Sequence, residues 1–207
     1  MKYFSLFTVI LALLMSCSNN TSETGSKTAQ QPAVAAGHDT AAPAITKTEY
    51  KTKTGKVILV SESHPQGQSL SNIMVAFAGN PASEMKFIDV DPISKVLVGD
   101  LDGNGFDEIH ILTVSAGSGS YGNVIGLASN SDKSLSQIAI SPVEAGDMKK
   151  GGKFEGYEGH DSFEIIGNSL VRTFPVKGAK ATQRTVSYKM KPGEAGYLLY
   201  VKTSSAN

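Results

Sequence analysis

Cysteine is nearly absent from this chain of 207 residues, tryptophan is wholly absent, and neither sign of charge is in excess. The single Cys17 cannot form an internal disulfide, so the fold stands on its hydrophobic core, and thiolate sites for zinc or iron–sulfur clusters are excluded. Its 19 basic and 19 acidic side chains balance, whereas a nucleic-acid binder needs a basic surplus to displace counterions from phosphates. No basic stripe supplies one. Long apolar runs are missing too, apart from one at the N-terminus that falls short of the roughly 20 residues needed to span a bilayer.

That run is an address. Lys2 gives a positive start, residues 3–15 are almost continuously apolar, and the segment has the form of a secretory signal peptide. It ends in Leu14-Met15-Ser16-Cys17, which resembles the lipobox of bacterial lipoproteins. The resemblance implies that residues 1–16 are removed, that Cys17 is acylated and becomes the N-terminus, and that the chain is lipid-anchored in the cell envelope. Ser18 follows in place of an aspartate, which by the sorting rule of typical Gram-negative lipoproteins implies the outer membrane, facing the periplasm.

Residues 17–48 form the lipidated cysteine and a tether, because Ser, Thr, Asn, Ala, Gly and Pro without an apolar period cannot bury enough surface to offset backbone entropy. His38 belongs to it. The folded module is expected over residues 49–207, ample for one core. Within it, short β-type runs recur between Gly, Asn, Asp, Ser and Pro punctuation: residues 56–62, 72–78, 85–90, 95–100, 108–115, 123–129, 162–166, 170–176, 184–191 and 197–202. No long helical period competes, although residues 142–150 have room for one short helical turn. The expected class is all-β, a single-domain antiparallel β-sandwich or flattened barrel.

Three segments stand out chemically. Asp100-Leu101-Asp102-Gly103-Asn104-Gly105-Phe106-Asp107-Glu108 alternates oxygen side chains around a sharp turn. It reads first as a polar hairpin turn in which the glycines take positive φ. The alternative is a calcium-stabilised binding module, with side-chain oxygens of Asp100, Asp102, Asn104 and Glu108 and the Phe106 carbonyl around the ion; the bidentate acid of an EF-hand is missing, since Ile111 stands at position twelve.

Gly117-Ser118-Gly119-Ser120-Tyr121-Gly122 has the spacing of a dinucleotide fingerprint, but a strand follows it where a helix would have to begin, so no cofactor is assigned. No serine has glycine two positions before and two after, so it is no nucleophile elbow either. What remains is a flexible loop presenting small hydroxyls and one phenol. Gly156-Tyr157-Glu158-Gly159-His160-Asp161 is a second such cluster. A triad of Ser118, His160 and Asp161 can be drawn, yet neighbouring His160 and Asp161 need not face each other, and His160 reads as a residue that satisfies loop carbonyls. His64 and His110 stand alone, and no metal is assigned to them.

Taken in order, the Asp100 segment, the glycine-serine loop, the Gly156–Asp161 segment and Leu170-Val171-Arg172-Thr173-Phe174-Pro175-Val176 resemble the PliI family, periplasmic inhibitors of invertebrate-type (i-type) lysozyme. The resemblance spans about residues 96–190. It implies an antiparallel β-structure, no enzymatic activity and no cofactor. It also implies that Ser118 and Tyr121, carried on Gly117, Gly119, Ser120 and Gly122, enter the lysozyme active-site groove, with Tyr157, His160 and Asp161 as a second contact or as loop support. A homodimer is the assembly the resemblance implies, though no feature of this sequence marks a symmetric interface.

Overall fold

The most apolar strand of the chain explains the architecture. From Glu108 to Thr113 every residue is buried, which a strand with one wet face never shows. Its side chains alternate between two cores: Ile109 and Ile111 pack with Ile58, Val60, Ile73 and Val75, while Leu112 packs with Leu101, Leu170 and Leu199. This strand is therefore the wall between two layers.

The computed structural model describes residues 44–177 and 183–206. The signal peptide, Cys17, His38 and the tether up to residue 43 lie outside the described residues. Among the described residues there are twelve strands and no helix: β1 (Ile45–Lys51), β2 (Val57–Ser63), β3 (Ser71–Phe77), β4 (Asn80–Val90), β5 (Ile93–Gly99), β6 (Glu108–Val114), β7 (Gly122–Asn130), β8 (Ser134–Ile140), β9 (Ser162–Ile166), β10 (Ser169–Pro175), β11 (Gln183–Gly193) and β12 (Gly196–Ala206). β1 to β4 form an antiparallel meander; the other eight form a second sheet in the order β5-β6-β7-β8-β12-β11-β10-β9. The class is all-β, as expected.

The eight-stranded sheet curls until its edges nearly meet. Lys95 Nζ on β5 donates to the Phe163 carbonyl on β9 at 3.4 Å, and a Cβ placed on Gly99 would stand 3.0 Å from Ile165 Cδ1. A register shift at Ser187/Tyr188 lies between β11 and β12, the kind of irregularity that raises local twist and bends a strand. Inside this near-barrel, Phe154, Phe163, Phe174 and Tyr188 fill the space with the leucines named above. Each fully buried side chain of this size contributes about 1.5–3 kcal/mol.

Two strands depart from the sequence expectation. β1 begins at Ile45, so the module starts before residue 49, and β8 was not foreseen at all. β8 is also the strand that makes the sheet mixed, pairing parallel with β12 through Tyr197↔Ile138 to Leu199↔Ile140. The helical turn expected within residues 142–150 is instead a series of hydrogen-bonded turns, with Asp147 N donating to Glu144 O and Lys149 N to Gly146 O. β6 carries the two polar segments at its opposite ends, residues 100–107 before it and 115–121 after it. Seven residues of strand separate them by roughly 20 Å.

Candidate functional site

The loop between β6 and β7 is closed at its base by Ser115, whose N–H donates to the Tyr121 carbonyl at 3.0 Å while its Oγ accepts from Tyr121 N–H at 3.0 Å. At its tip a tight turn joins Ser120 N–H to the Gly117 carbonyl at 2.9 Å, and Ser120 itself takes φ +43°. Ser118 is exposed at this tip, and Tyr121 is 50% exposed beside it. Any side chain at 119 would have to displace the Tyr121 ring, because a Cβ there would lie 2.3 Å from Tyr121 Cε2.

The long connection from β8 to β9 supports this loop. Gly159 is buried against it with φ +90°, and a Cβ at that position would fall 1.9 Å from the Gly119 carbonyl oxygen. The next residue, His160, has φ +60° and donates its backbone N–H to the carbonyls of Gly119 (3.2 Å) and Ser120 (3.1 Å). His160 thus satisfies loop carbonyls through its main chain.

Beneath the loop lies a charged anchor. The Asp161 carboxylate accepts from Gly122 N at 2.7 Å, Tyr157 Oη at 2.7 Å and Arg172 Nε at 2.6 Å. Arg172 Nη2 also donates to Tyr157 Oη, and its guanidinium lies 4.6 Å from the centre of the Tyr157 ring. Burial lowers the pKa of such a guanidinium, but the Asp161 hydrogen bond and charge outweigh that and raise it, so the cation is permanent. Burial, then the Asp161 hydrogen bond, pushes the Tyr157 phenol well above its ordinary value, so it stays a donor. Tyr157 meets Tyr121 edge to face at 5.7 Å between ring centres. The exposed phenol is thereby tied to the buried pair through one aromatic contact.

The Gly156–Asp161 segment and the glycine-serine loop therefore form one surface, a shallow depression lined by Ser118, Tyr121, Glu158, His160, Val176 and Lys177. The triad arrangement does not form: the Asp161 carboxylate is spent on three donors, none of them His160, and no hydrogen bond joins Ser118 to His160 among the described residues. In the sequence Arg172 stands only as part of the Leu170–Val176 segment, with no role assigned to it. Its signal was a lone cation among apolar residues in a strand, facing the core by alternation.

At the other end of β6, the Asp100 segment folds into the hairpin turn that its glycines suggest, with Gly103 at φ +79° and Gly105 at φ +95°. Asp100 Oδ1 accepts from Gly103 N at 2.8 Å and Asn104 N at 3.1 Å. Asp100, Asp102 and Glu108 converge, each with an oxygen within 4.8 Å of the others. Lys53 Nζ pairs with Asp100 from solvent. Glu108 is wholly buried, and burial plus the charges of Asp102, Asp100 and Asp107 raise its pKa to about 7. His110 is buried two residues on, where burial lowers its pKa to about 4 and neither ring nitrogen has a hydrogen-bond partner among the described residues. His64 sits elsewhere, its Nδ1 3.0 Å from Ser71 Oγ.

Comparison with protein-family models, with curated proteins and with solved structures finds no match to this chain.

Proposed function

We propose that this protein inhibits i-type lysozyme by inserting the tip of the β6–β7 loop into the enzyme's active-site groove, and that it does so without turnover. The sequence resemblance to the PliI inhibitors supplies the partner. The observation that supports the mode of action is an exposed Ser118 and Tyr121 on a loop fixed to a buried Asp161–Arg172 pair. A lysozyme cleaves its glycan between two carboxyl groups in a groove shaped for sugars. Hydroxyl donors on a narrow loop fit such a groove and can hydrogen-bond its carboxyls, while Tyr121 adds a large contact area with few rotors to freeze. A loop already held in place loses little freedom on binding, which favours affinity.

Acylation of Cys17 and retention at the outer membrane, facing the periplasm, would hold the inhibitor beside the peptidoglycan it protects, with residues 18–44 as the spacer. The test is direct binding. An unacylated form of the mature chain, beginning at Ser18 just after the lipidated Cys17 and titrated calorimetrically into i-type lysozyme, is expected to saturate at one inhibitor chain per enzyme. Absence of heat and of any complex on size exclusion at micromolar concentrations overturns the proposal.

A further inference from the structure

The turn between β5 and β6 carries more negative charge than its protein partners neutralise. Asp100, Asp102 and Glu108 offer oxygens that all lie within 4.8 Å of one another. Oxygens bound to one calcium ion at about 2.3–2.6 Å stand at most about 5 Å apart, so this spacing is that of a coordination shell. Lys53 meets only Asp100, from the solvent side, with 44% of its side chain exposed. The second observation comes from Glu108. Its side chain is wholly buried, Oε2 accepts from Leu101 N at 2.6 Å, and Oε1 has no partner among the described residues. Leaving a buried carboxylate oxygen without a donor or cation is costly. Because Glu108 contributes one of the three converging atoms, its carboxylate is aimed into the cluster.

We propose that this turn is a calcium site, with Asp100, Asp102 and Glu108 as its charged ligands. The donors are all oxygens, which excludes a preference for zinc or copper. They come from an irregular turn and the first residue of β6, an arrangement that suits the irregular sphere of calcium better than the strict octahedron of magnesium. The Asp107 carboxylate accepts Lys53 N–H at 2.6 Å. An ion bound here would therefore brace the β5–β6 turn against the β1–β2 turn and hold the first sheet to the near-barrel. Lys53 is a competitor, since its ammonium neutralises an oxygen that the ion would take.

This inference stands apart from lysozyme binding, some 20 Å away along β6, and is tested on the mature chain alone. Protein stripped with EDTA is melted in calcium chloride or magnesium chloride at equal ionic strength, and calcium binding is counted by equilibrium dialysis. Calcium is expected to bind once per chain, half-saturating at about 10⁻⁴–10⁻³ M as in weak calcium modules, and to raise Tm by several degrees. Magnesium should not reproduce the shift. Asp102→Asn, a change on the partly exposed loop, should abolish binding and shift together, and Lys53→Met should tighten calcium several-fold. If Glu108→Gln fails to fold, Asp102→Asn decides. No bound calcium at 10 mM, or an undiminished shift in Asp102→Asn, overturns the proposal.

Discussion

Arg172 Nε and Asp161 Oδ1 meet at 2.6 Å with side chains 8% and 0% exposed, so the cation and anion sit inside the protein and not on its surface. The same carboxylate holds Gly122 N, the first residue after the glycine-serine loop. Stability and loop position are therefore coupled through one side chain. Breaking such a pair from one side strands a buried charge, at a cost of about 3–5 kcal/mol. Arg172→Met is expected to lose stability of that order in urea unfolding. The double variant with Asp161→Asn should recover part of it. A loss below about 1 kcal/mol in the single variant would show the pair to be solvated.

Gly159 sets how closely the two loops approach. Alanine there needs both a left-handed backbone and space that the Gly119 carbonyl oxygen occupies at 1.9 Å. Gly55, at φ +86° with nothing within 4 Å, is the control. Thermal or urea unfolding is expected to show about 1 kcal/mol lost in Gly55→Ala and about 3 kcal/mol or more in Gly159→Ala. Equal losses would mean that the loops do not touch as described.

Tyr121 should matter to binding and little to folding. Tyr121 is 50% exposed, and its one aromatic contact among the described residues is the edge-to-face meeting with Tyr157. Tyr121→Ala is expected to leave stability within about 1 kcal/mol while weakening lysozyme binding by about 2 kcal/mol or more, roughly 30-fold. Unfolding curves and calorimetric titration of the same preparation separate the two effects.

Glu108 and His110 push the pH dependence of stability in opposite directions. Glu108 has a folded pKa of about 7 against an unfolded 4.5, so the native state binds the extra proton and stability falls as pH rises between them. His110 has a folded pKa of about 4 against 6.5, so the unfolded state binds the extra proton and stability rises with pH in that window. Each shift is worth about 3 kcal/mol, and between pH 4.5 and 6.5 they nearly cancel. Charges facing Glu108 are those of Asp100, Asp102, Asp107 and Lys53, whereas His110 is shifted by burial alone. In EDTA, Glu108→Gln should make stability climb from pH 4 to 6.5, and His110→Leu should make it fall from pH 4.5 to 7. Parallel profiles for the wild type and both variants would remove these groups from the pH dependence.

Most strands were legible because one face of each is apolar and glycine, asparagine or proline stops it. β1 was not: six of its seven residues are exposed, and ITKTEYK carries no apolar alternation to distinguish an edge strand from a tether. β8 was hidden for a related reason. SLSQIAI buries only Leu135 and Ile138, three positions apart, a spacing that breaks the period of two. The loop that carries Ser118 and Tyr121 could be read from glycine and serine content, but its support could not. Asp161 and Arg172 are separated by a hairpin whose register, Arg172↔Phe163, is fixed only when β9 and β10 pair. Lys53 and Asp100 are further apart still, joined by the meeting of two sheets that no local pattern encodes.

The most direct test is a cell-wall lysis assay in which the mature chain is titrated against i-type, chicken-type and goose-type lysozymes side by side. The account predicts stoichiometric loss of i-type activity alone, with Tyr121→Ala requiring far more protein for the same effect. Undiminished lysis by the i-type enzyme at a molar excess of inhibitor would contradict it.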